Sequence, residues 1–372
     1  MMGFCDTSIQ CFDFVQFQEK LASVQGKRVV FFLSESGEKR WNLCNCANDL
    51  GKNNFVCRIN QTYENPTIYD IVQVLSSIGN FGEIDTIIAI GGGSTIDMAK
   101  AVRSFYRFPI SLTEKELRNQ LQNKQIEVYN GNVDLIAIPT TAGTGSELTS
   151  WATIWDFKTL TKYSLDSEKL KPTEAWIVSE LTYSLSATLQ LSTGLDALCH
   201  AVEAFWSVHT SPVVQEISYR AIDLILNNLH DATNKGDILL KERMCQASVL
   251  SALAFSQTRT TACHSISYPL TMLHHIPHGY AVAITLPDVL ELNKGSYKNS
   301  ELLMQLFKQQ GGVHDWLRAV CEDTIELSLR TWGVKEKDIK NIAEKSFTLG
   351  RVDNNPVSLT QCDVEKILQR HL

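Results

Sequence analysis

The chain of 372 residues contains no run of the roughly 20 apolar residues that a membrane-spanning helix requires. That absence excludes a transmembrane helix. Nor is there an excess of basic side chains: 34 Lys and Arg stand against 41 Asp and Glu, a formal net charge of −7. A nucleic-acid footprint or a basic membrane patch is therefore not expected, although a small local basic pocket could still receive an anion. The ten cysteines are scattered and form no Cys-x-x-Cys pair, which argues against a disulfide framework. The opening MMGFCDTSIQCFDF lacks a basic head followed by an apolar run, so no secretory leader is expected. Repeats and low-complexity tracts are also missing. Together these absences imply a soluble, cytoplasmic protein with reduced thiols.

What is present is ordinary globular composition, 44% apolar, over a length that suggests two domains. Up to about Tyr183, short β-rich runs alternate with helical patterns, the rhythm of a parallel sheet with crossover helices. Val29 to Leu33, Asp85 to Ile90 and Leu135 to Ile138 read as strands. The second is the clearest, because an almost wholly apolar run that stops at three glycines suits a strand covered on both faces. From Ser184 onward, long helical periods such as VVQEISYRAIDLILNNL and ERMCQASVLSALAF dominate. The expected division is 1–183 and 184–372, packed as one unit with a cleft between.

Gly91-Gly92-Gly93-Ser94-Thr95-Ile96-Asp97 follows the clearest strand and runs into a helical pattern. Glycines let the backbone approach an anion, and the exposed N–H groups and dipole of a helix N-terminus favour negative charge. The bland alternative is a tight strand-to-helix turn with no ligand. A second small-residue loop, Pro139-Thr140-Thr141-Ala142-Gly143-Thr144-Gly145-Ser146-Glu147, also follows an apolar strand. Two such loops at the carboxyl ends of parallel strands are what a dinucleotide pyrophosphate needs.

Farther on, TGLDALCHAVEAF places Asp196 and His200 four residues apart, on one face if the segment is helical. His264 and His278 follow in CHSISYPLTMLHHIPHG. A carboxylate with three imidazoles suits Fe²⁺, Zn²⁺ or another first-row ion and leaves a position open for substrate. Cys199 and Cys263 adjoin two of these residues, but helical neighbours point about 100° apart, so they read as packing or supporting groups. His275 could line the same site.

GGGSTIDMAK, IPTTAGTGSE, GLDALCHAVEAF and the HSISYPL to PHG block, in that order, resemble the iron-containing (group III) alcohol dehydrogenase family from about Gly26 to the end. The resemblance implies an α/β N-terminal dinucleotide-binding domain with a parallel sheet and an all-helical C-terminal metal-binding domain. It implies a homodimer or larger assembly. By position it makes Asp196, His200, His264 and His278 the ligands of Fe²⁺, with Zn²⁺ as the other candidate. Gly91, Gly92, Gly93, Ser94, Asp97, Thr140, Thr141, Thr144 and Lys162 become contacts of NADPH or NADH.

Three departures from the family pattern bear on function. Tyr268 stands where many members have a second histidine four residues beyond the third ligand, leaving Tyr268, His275 or water as the proton route. Ser34 followed by Glu35 replaces the aspartate that often contacts the adenosine ribose, which leans the reading to NADPH while Glu35 keeps NADH open. Val178-Ser179 takes the place of an Asp-Pro pair.

Within the family, TRTTACHSISYPLT and PHGYAVAITLP are similar to the phosphonoacetaldehyde reductase branch. The implied reaction interconverts an aldehyde and a primary alcohol, foremost phosphonoacetaldehyde and 2-hydroxyethylphosphonate. Arg259, on a neighbouring turn with Thr258, Thr260 and Thr261, would face the phosphonate, although a solvent-facing or salt-bridged arginine explains it equally. A short alcohol, diol or hydroxy acid is the alternative substrate. A binding paralogue without turnover is the third reading.

Overall fold

The computed structural model of the chain describes residues 6–79, 81–107, 112–123, 132–234, 237–322 and 324–372. The backbone divides into two compact units, one of Met1–Thr141 with Ser146–Ser184, the other of Ala142–Gly145 with Leu185–Leu372.

The first unit is built on a six-stranded sheet of β1 (Ser8–Cys11), β2 (Arg28–Phe32), β3 (Phe55–Ile59), β4 (Thr86–Gly91), β5 (Asp134–Pro139) and β8 (Glu174–Ile177). Their order is β1-β8-β5-β4-β2-β3, and every pairing is parallel. Successive side chains point to opposite faces, and both faces are covered. Val30, Phe32, Ile87, Ala89 and Leu135 pack with Ile71, Val102 and Phe105 on one side; Val29, Phe31, Ile88, Ile90 and Ile136 pack with Phe17, Leu21 and Leu50 on the other. This double burial explains why DTIIAI carries no polar alternation.

The sequence rhythm implies parallel strands throughout this region, and here the structure differs. Trp151–Asp156 (β6) and Thr161–Asp166 (β7) form an antiparallel hairpin with Trp151 opposite Asp166. A connection this short can join strands only in antiparallel fashion.

In the second unit the described elements are all helical. Ala187–Trp206 is buried on every side from Gln190 to Trp206, as a central helix must be, and Ser186 caps its start by accepting from Leu189 N–H at 3.3 Å. Pro212–Asn234 and Ile238–Thr258 pack against it and each other. Ala262–His274 and His278–Ala283 follow. The helix ending at Thr258 corrects one expectation: Arg259, with φ 62° and ψ 179°, leaves the helix, so Arg259, Thr260 and Thr261 lie on a link and not on a helical turn. Among the described residues no helix is long and apolar enough to cross a membrane, and the described cysteines are free thiols.

Candidate active site

From β2 the chain moves outward to β3 on one side, whereas β4 leads to β5 on the other. The carboxyl ends of β2 and β4 therefore flank a topological switch point, the place where open α/β sheets receive ligands. Gly91 ends β4 in register with Pro139 of β5. Gly92 begins the helix Gly93–Phe105, whose N-terminus no side chain caps. A methyl group on Gly91 would stand 2.5 Å from Thr95, and one on Gly92 would sit 3.4 Å from the Thr141 methyl. The Thr141 hydroxyl is buried and has no hydrogen-bond partner, a vacant polar position that an acceptor oxygen of a ligand would satisfy.

Other residues read from the sequence are engaged by the chain itself. Ser94 Oγ accepts from Asn65 N–H at 3.2 Å. Asp97 accepts from the Ser146 hydroxyl and, at 2.8 Å, from Thr153 N–H. Burial raises its carboxyl above the ordinary range although Lys100 opposes the rise. Thr140 N–H donates to Gly91 O at 3.0 Å. Lys162 lies on β7 with Nζ 6.0 Å from the Trp155 ring centre. Thr144 belongs to the Ala142–Gly145 segment that groups with the second unit. After β2, Ser34 caps Glu35–Arg40 by accepting from Gly37 N–H at 3.1 Å, and Glu35 is exposed.

Sequence reading passed over Lys100, which is wholly buried and donates to Thr149 O, Thr149 Oγ1 and Trp151 O at 2.9, 3.1 and 2.8 Å. Burial lowers its ammonium to about 8. Nearby, burial pushes the Glu147 carboxyl up to about 7.

The second unit gathers the four residues with metal-ligand chemistry. Asp196 Oδ1 lies 3.3 Å from His264 Nε2, 3.8 Å from His200 Nε2 and 3.8 Å from His278 Nε2. Ligand atoms of Asp196, His200 and His264 fall within 4.8 Å of one another, and all three residues are buried. His278 is the most open, with a third of its side chain exposed. Helical spacing sets Asp196 above His200, and the helices starting at Ala262 and His278 bring the other two. The His200 ring stacks on Phe255 at 3.9 Å and on His264 at 4.4 Å, which fixes its plane.

Electrostatics fit a cation at the centre. Asp196 Oδ1 and His264 Nε2 are buried polar atoms without a hydrogen-bond partner, facing one another. Burial would raise the Asp196 carboxyl, but His200, His264 and His278 outweigh it and hold the group far below the usual range. Burial lowers His200 to about 4, leaving a neutral imidazole able to donate a lone pair. For His264 burial acts downward too, yet Glu203 and Asp196 together raise it to about 10, so a divalent cation bound here would take the place of the Nε2 proton. An anionic carboxylate and clustered imidazole nitrogens with unsatisfied inward atoms are the donor set of a first-row divalent ion.

Two supporting features had only faint sequence signals. Glu203, three residues after His200 on the same helix, is fully buried with Oε2 2.5 Å from His264 Nδ1. The Gly279 of Pro-His-Gly lies where a methyl group would meet the Ser192 carbonyl oxygen at 1.8 Å. Cys199 and Cys263 are fully buried, and burial holds both thiols well above their ordinary range. Tyr268 is buried with its ring stacked on His278 at 6.1 Å and 9°. His275 is exposed and ends its helix in the left-handed conformation at φ 56°. Arg259 is half-buried on the link before His264.

A sheet with glycine-rich strand ends and a helical unit with an Asp-His₃ cluster together define a metal-assisted dehydrogenase architecture. The family profile described as iron-containing alcohol dehydrogenase matches residues 13–178, and that of the Fe-containing alcohol dehydrogenase family, C-terminal, matches 190–372. The chain belongs to the iron-containing alcohol dehydrogenase family and is an oxidoreductase. It is 29% identical to the NADPH-dependent butanol dehydrogenase of Clostridium saccharobutylicum over 94% of this chain and 93% of that protein. Among solved structures, it resembles an iron-containing alcohol dehydrogenase from Thermotoga maritima, with TM-score 0.81, 26% identity and coverage of 99% of this chain and 98% of the other. It also shares its fold with sulfoacetaldehyde reductase from Bifidobacterium kashiwanohense in complex with NAD⁺, with TM-score 0.84, 24% identity and coverage of 99% and 97%.

Proposed function

We propose that the chain reduces an aldehyde to a primary alcohol with NADPH or NADH, and that its foremost substrate is phosphonoacetaldehyde, giving 2-hydroxyethylphosphonate. The convergence of His200, His264 and His278 on Asp196 carries the proposal. Those four residues would hold Fe²⁺, or Zn²⁺ in its place. A bound divalent cation supplies Lewis-acid polarisation of the carbonyl, worth several kcal/mol of barrier.

The chain's own residues do the remainder. Gly91 to Ser94, with Thr140, Thr141 and Thr144, would cradle the pyrophosphate, and Lys162 would contact the ribose or phosphate. Asp97 supports the cradle through Ser146 and Thr153, a role its hydrogen bonds favour over direct cofactor contact. Neutral His200, stacked between Phe255 and His264, keeps one nitrogen toward the centre. Tyr268, lying against the His278 ring, is better placed to pass the final proton than the exposed His275.

Arg259 supports the phosphonate reading, since it opens the link that leads into the His264 helix and carries a guanidinium fork suited to tetrahedral oxyanions. For the cofactor, Ser34 shortly after β2 supports NADPH, while exposed Glu35 keeps NADH in play. A homodimer or larger assembly, in the cytoplasm, completes the reading. The name of the butanol dehydrogenase relative favours a second reading, a plain short-chain alcohol as product. Steady-state rates of the Fe²⁺-reconstituted protein with phosphonoacetaldehyde and with acetaldehyde, each with NADPH and NADH, decide between them. Equal kcat/KM for the two aldehydes removes the phosphonate assignment, and no turnover of any aldehyde removes the catalytic one.

A further inference from the structure

Glu203 makes an unusual set of contacts for a carboxylate that no solvent reaches. Its Oε1 accepts from Cys263 N–H at 2.7 Å and His264 N–H at 3.2 Å; its Oε2 accepts from Thr261 N–H at 2.9 Å and lies 2.5 Å from His264 Nδ1. A carboxylate offers about four lone-pair positions, and here each is taken by a nitrogen. Three of the donors belong to the first turn of Ala262–His274, a helix whose N-cap residue Thr261 provides no side-chain cap of its own. The fourth is the imidazole. An ionised carboxylate has no proton to give and only accepts, so Nδ1 carries the proton of this contact and Nε2 is the atom presented to Asp196.

We infer that Glu203 is a positioning residue that fixes His264 as an Nδ1–H imidazole, with its Nε2 lone pair aimed at the cation, and so sets the affinity of the centre. Asp196, His200 and Glu203 lie at helical spacings of four and three on one helix, so a single rigid element supplies two ligands and aligns a third. The carboxylate also sets the height of the next helix against its own. One turn on, Trp206 Nε1 donates to Thr261 Oγ1 at 2.8 Å and pins the same junction without touching the imidazole. The two side chains therefore separate alignment of the ligand from mere attachment of the helix. An amide at position 203 cannot reproduce the pattern: whichever way it turns, its NH₂ faces at least one backbone N–H. Turned toward His264, it asks Nδ1 to accept and moves the imidazole proton to Nε2.

This inference rests on reading the quartet as a cation site, and the experiment keeps the two apart. Zn²⁺ affinity is measured by chelator competition on the wild-type chain, Glu203→Gln and Trp206→Phe, with circular dichroism and Tm beside it. The expected result is a 10–100-fold loss of affinity in Glu203→Gln, and in Trp206→Phe a lower Tm with affinity within about threefold of wild type. Wild-type protein that binds no Zn²⁺ removes the cation-site reading itself. Equal affinity in Glu203→Gln, or the same loss in Trp206→Phe, overturns the inference alone. Should Glu203→Gln fail to fold, ¹⁵N-histidine spectra of Zn²⁺-loaded wild type decide: a downfield proton on His264 Nδ1 supports the inference, and a proton on Nε2 overturns it.

Discussion

Gly279 and Ser192 touch backbone to backbone, so closely that a methyl group on Gly279 would stand 1.8 Å from the Ser192 carbonyl oxygen. This contact explains why glycine must follow His278: the approach brings the helix His278–Ala283 onto the helix that carries Asp196 and His200. Gly279→Ala forces the two helices apart, and overpacking of that kind costs about 1–3 kcal/mol or more. A drop in Tm together with sub-stoichiometric metal by elemental analysis is expected. An unchanged Tm and full metal content would contradict the packing argument.

The four proposed ligands are not equivalent. Asp196 is the hub to which all three imidazoles point, whereas His278 is one-third exposed. Asp196→Ala should abolish metal retention through gel filtration and lower kcat/KM by about a thousandfold or more, the equivalent of several kcal/mol. His278→Ala should retain metal more weakly and keep measurable turnover at excess Fe²⁺. Indistinguishable behaviour of the two variants counts against the hub arrangement.

At the glycine-rich turn, a side chain on Gly92 finds room, with its nearest neighbour 3.4 Å away at Thr141. Gly92→Val should therefore fold with nearly unchanged Tm while filling the face proposed for the pyrophosphate. KM for the nicotinamide cofactor is expected to rise at least about tenfold, or roughly 1.4 kcal/mol, with aldehyde KM little changed. A cofactor KM within twofold of wild type would place the phosphates elsewhere.

Stability should depend on pH through Glu147. Its folded carboxyl is pushed by burial from 4.5 to about 7, so between those values the native state holds a proton that the unfolded chain has released. Stability therefore falls as pH rises from about 4.5 to 7, by roughly 3 kcal/mol for this group, and levels off above. Glu147→Gln should flatten that decline in denaturant melts recorded at pH 5 and pH 7.5. A decline of equal size in the variant assigns the effect to other groups.

Arg259 occupies φ 62° and ψ 179°, a region where any residue but glycine costs about 1–3 kcal/mol. Arg259→Gly relieves that backbone strain and should leave Tm equal or higher. If the guanidinium serves the substrate, KM for phosphonoacetaldehyde rises more than about tenfold while KM for acetaldehyde stays put. Parallel changes for both aldehydes would mark Arg259 as a purely structural residue.

The sequence disclosed elements in proportion to how uniformly they are buried. DTIIAI announces β4 because both its faces are covered, but the edge strands SIQC (β1) and FVCRI (β3) mix polar with apolar residues and carry no such mark. EAWI (β8) is four residues long and lies among loop-forming residues. Asp196 and His200 were legible because they stand four residues apart in a helical segment, and His264 and His278 because histidines are scarce and cluster in CHSISYPLTMLHHIPHG. Glu203 was not, since one acid in a helical segment looks like a solvated side chain until the Ala262 helix is seen to begin on it. The break at Arg259 was hidden for the opposite reason: arginine is a poor choice for a positive φ, so local preference pointed to continued helix.

Ser8–Cys11 pairs with Glu174–Ile177, so among the described residues the earliest strand of the sheet has the last one as its neighbour. On a ribosome, the opening segment must wait for the closing one before its hydrogen bonds have a home. Contacts this far apart in sequence slow folding, because a long loop has to close before the pairing rewards it. Removing Glu174–Ile177 would leave Ser8–Cys11 without its partner, whereas removing Ser8–Cys11 would leave Glu174–Ile177 still paired with Asp134–Pro139, so the unit bears trimming unequally at its two ends.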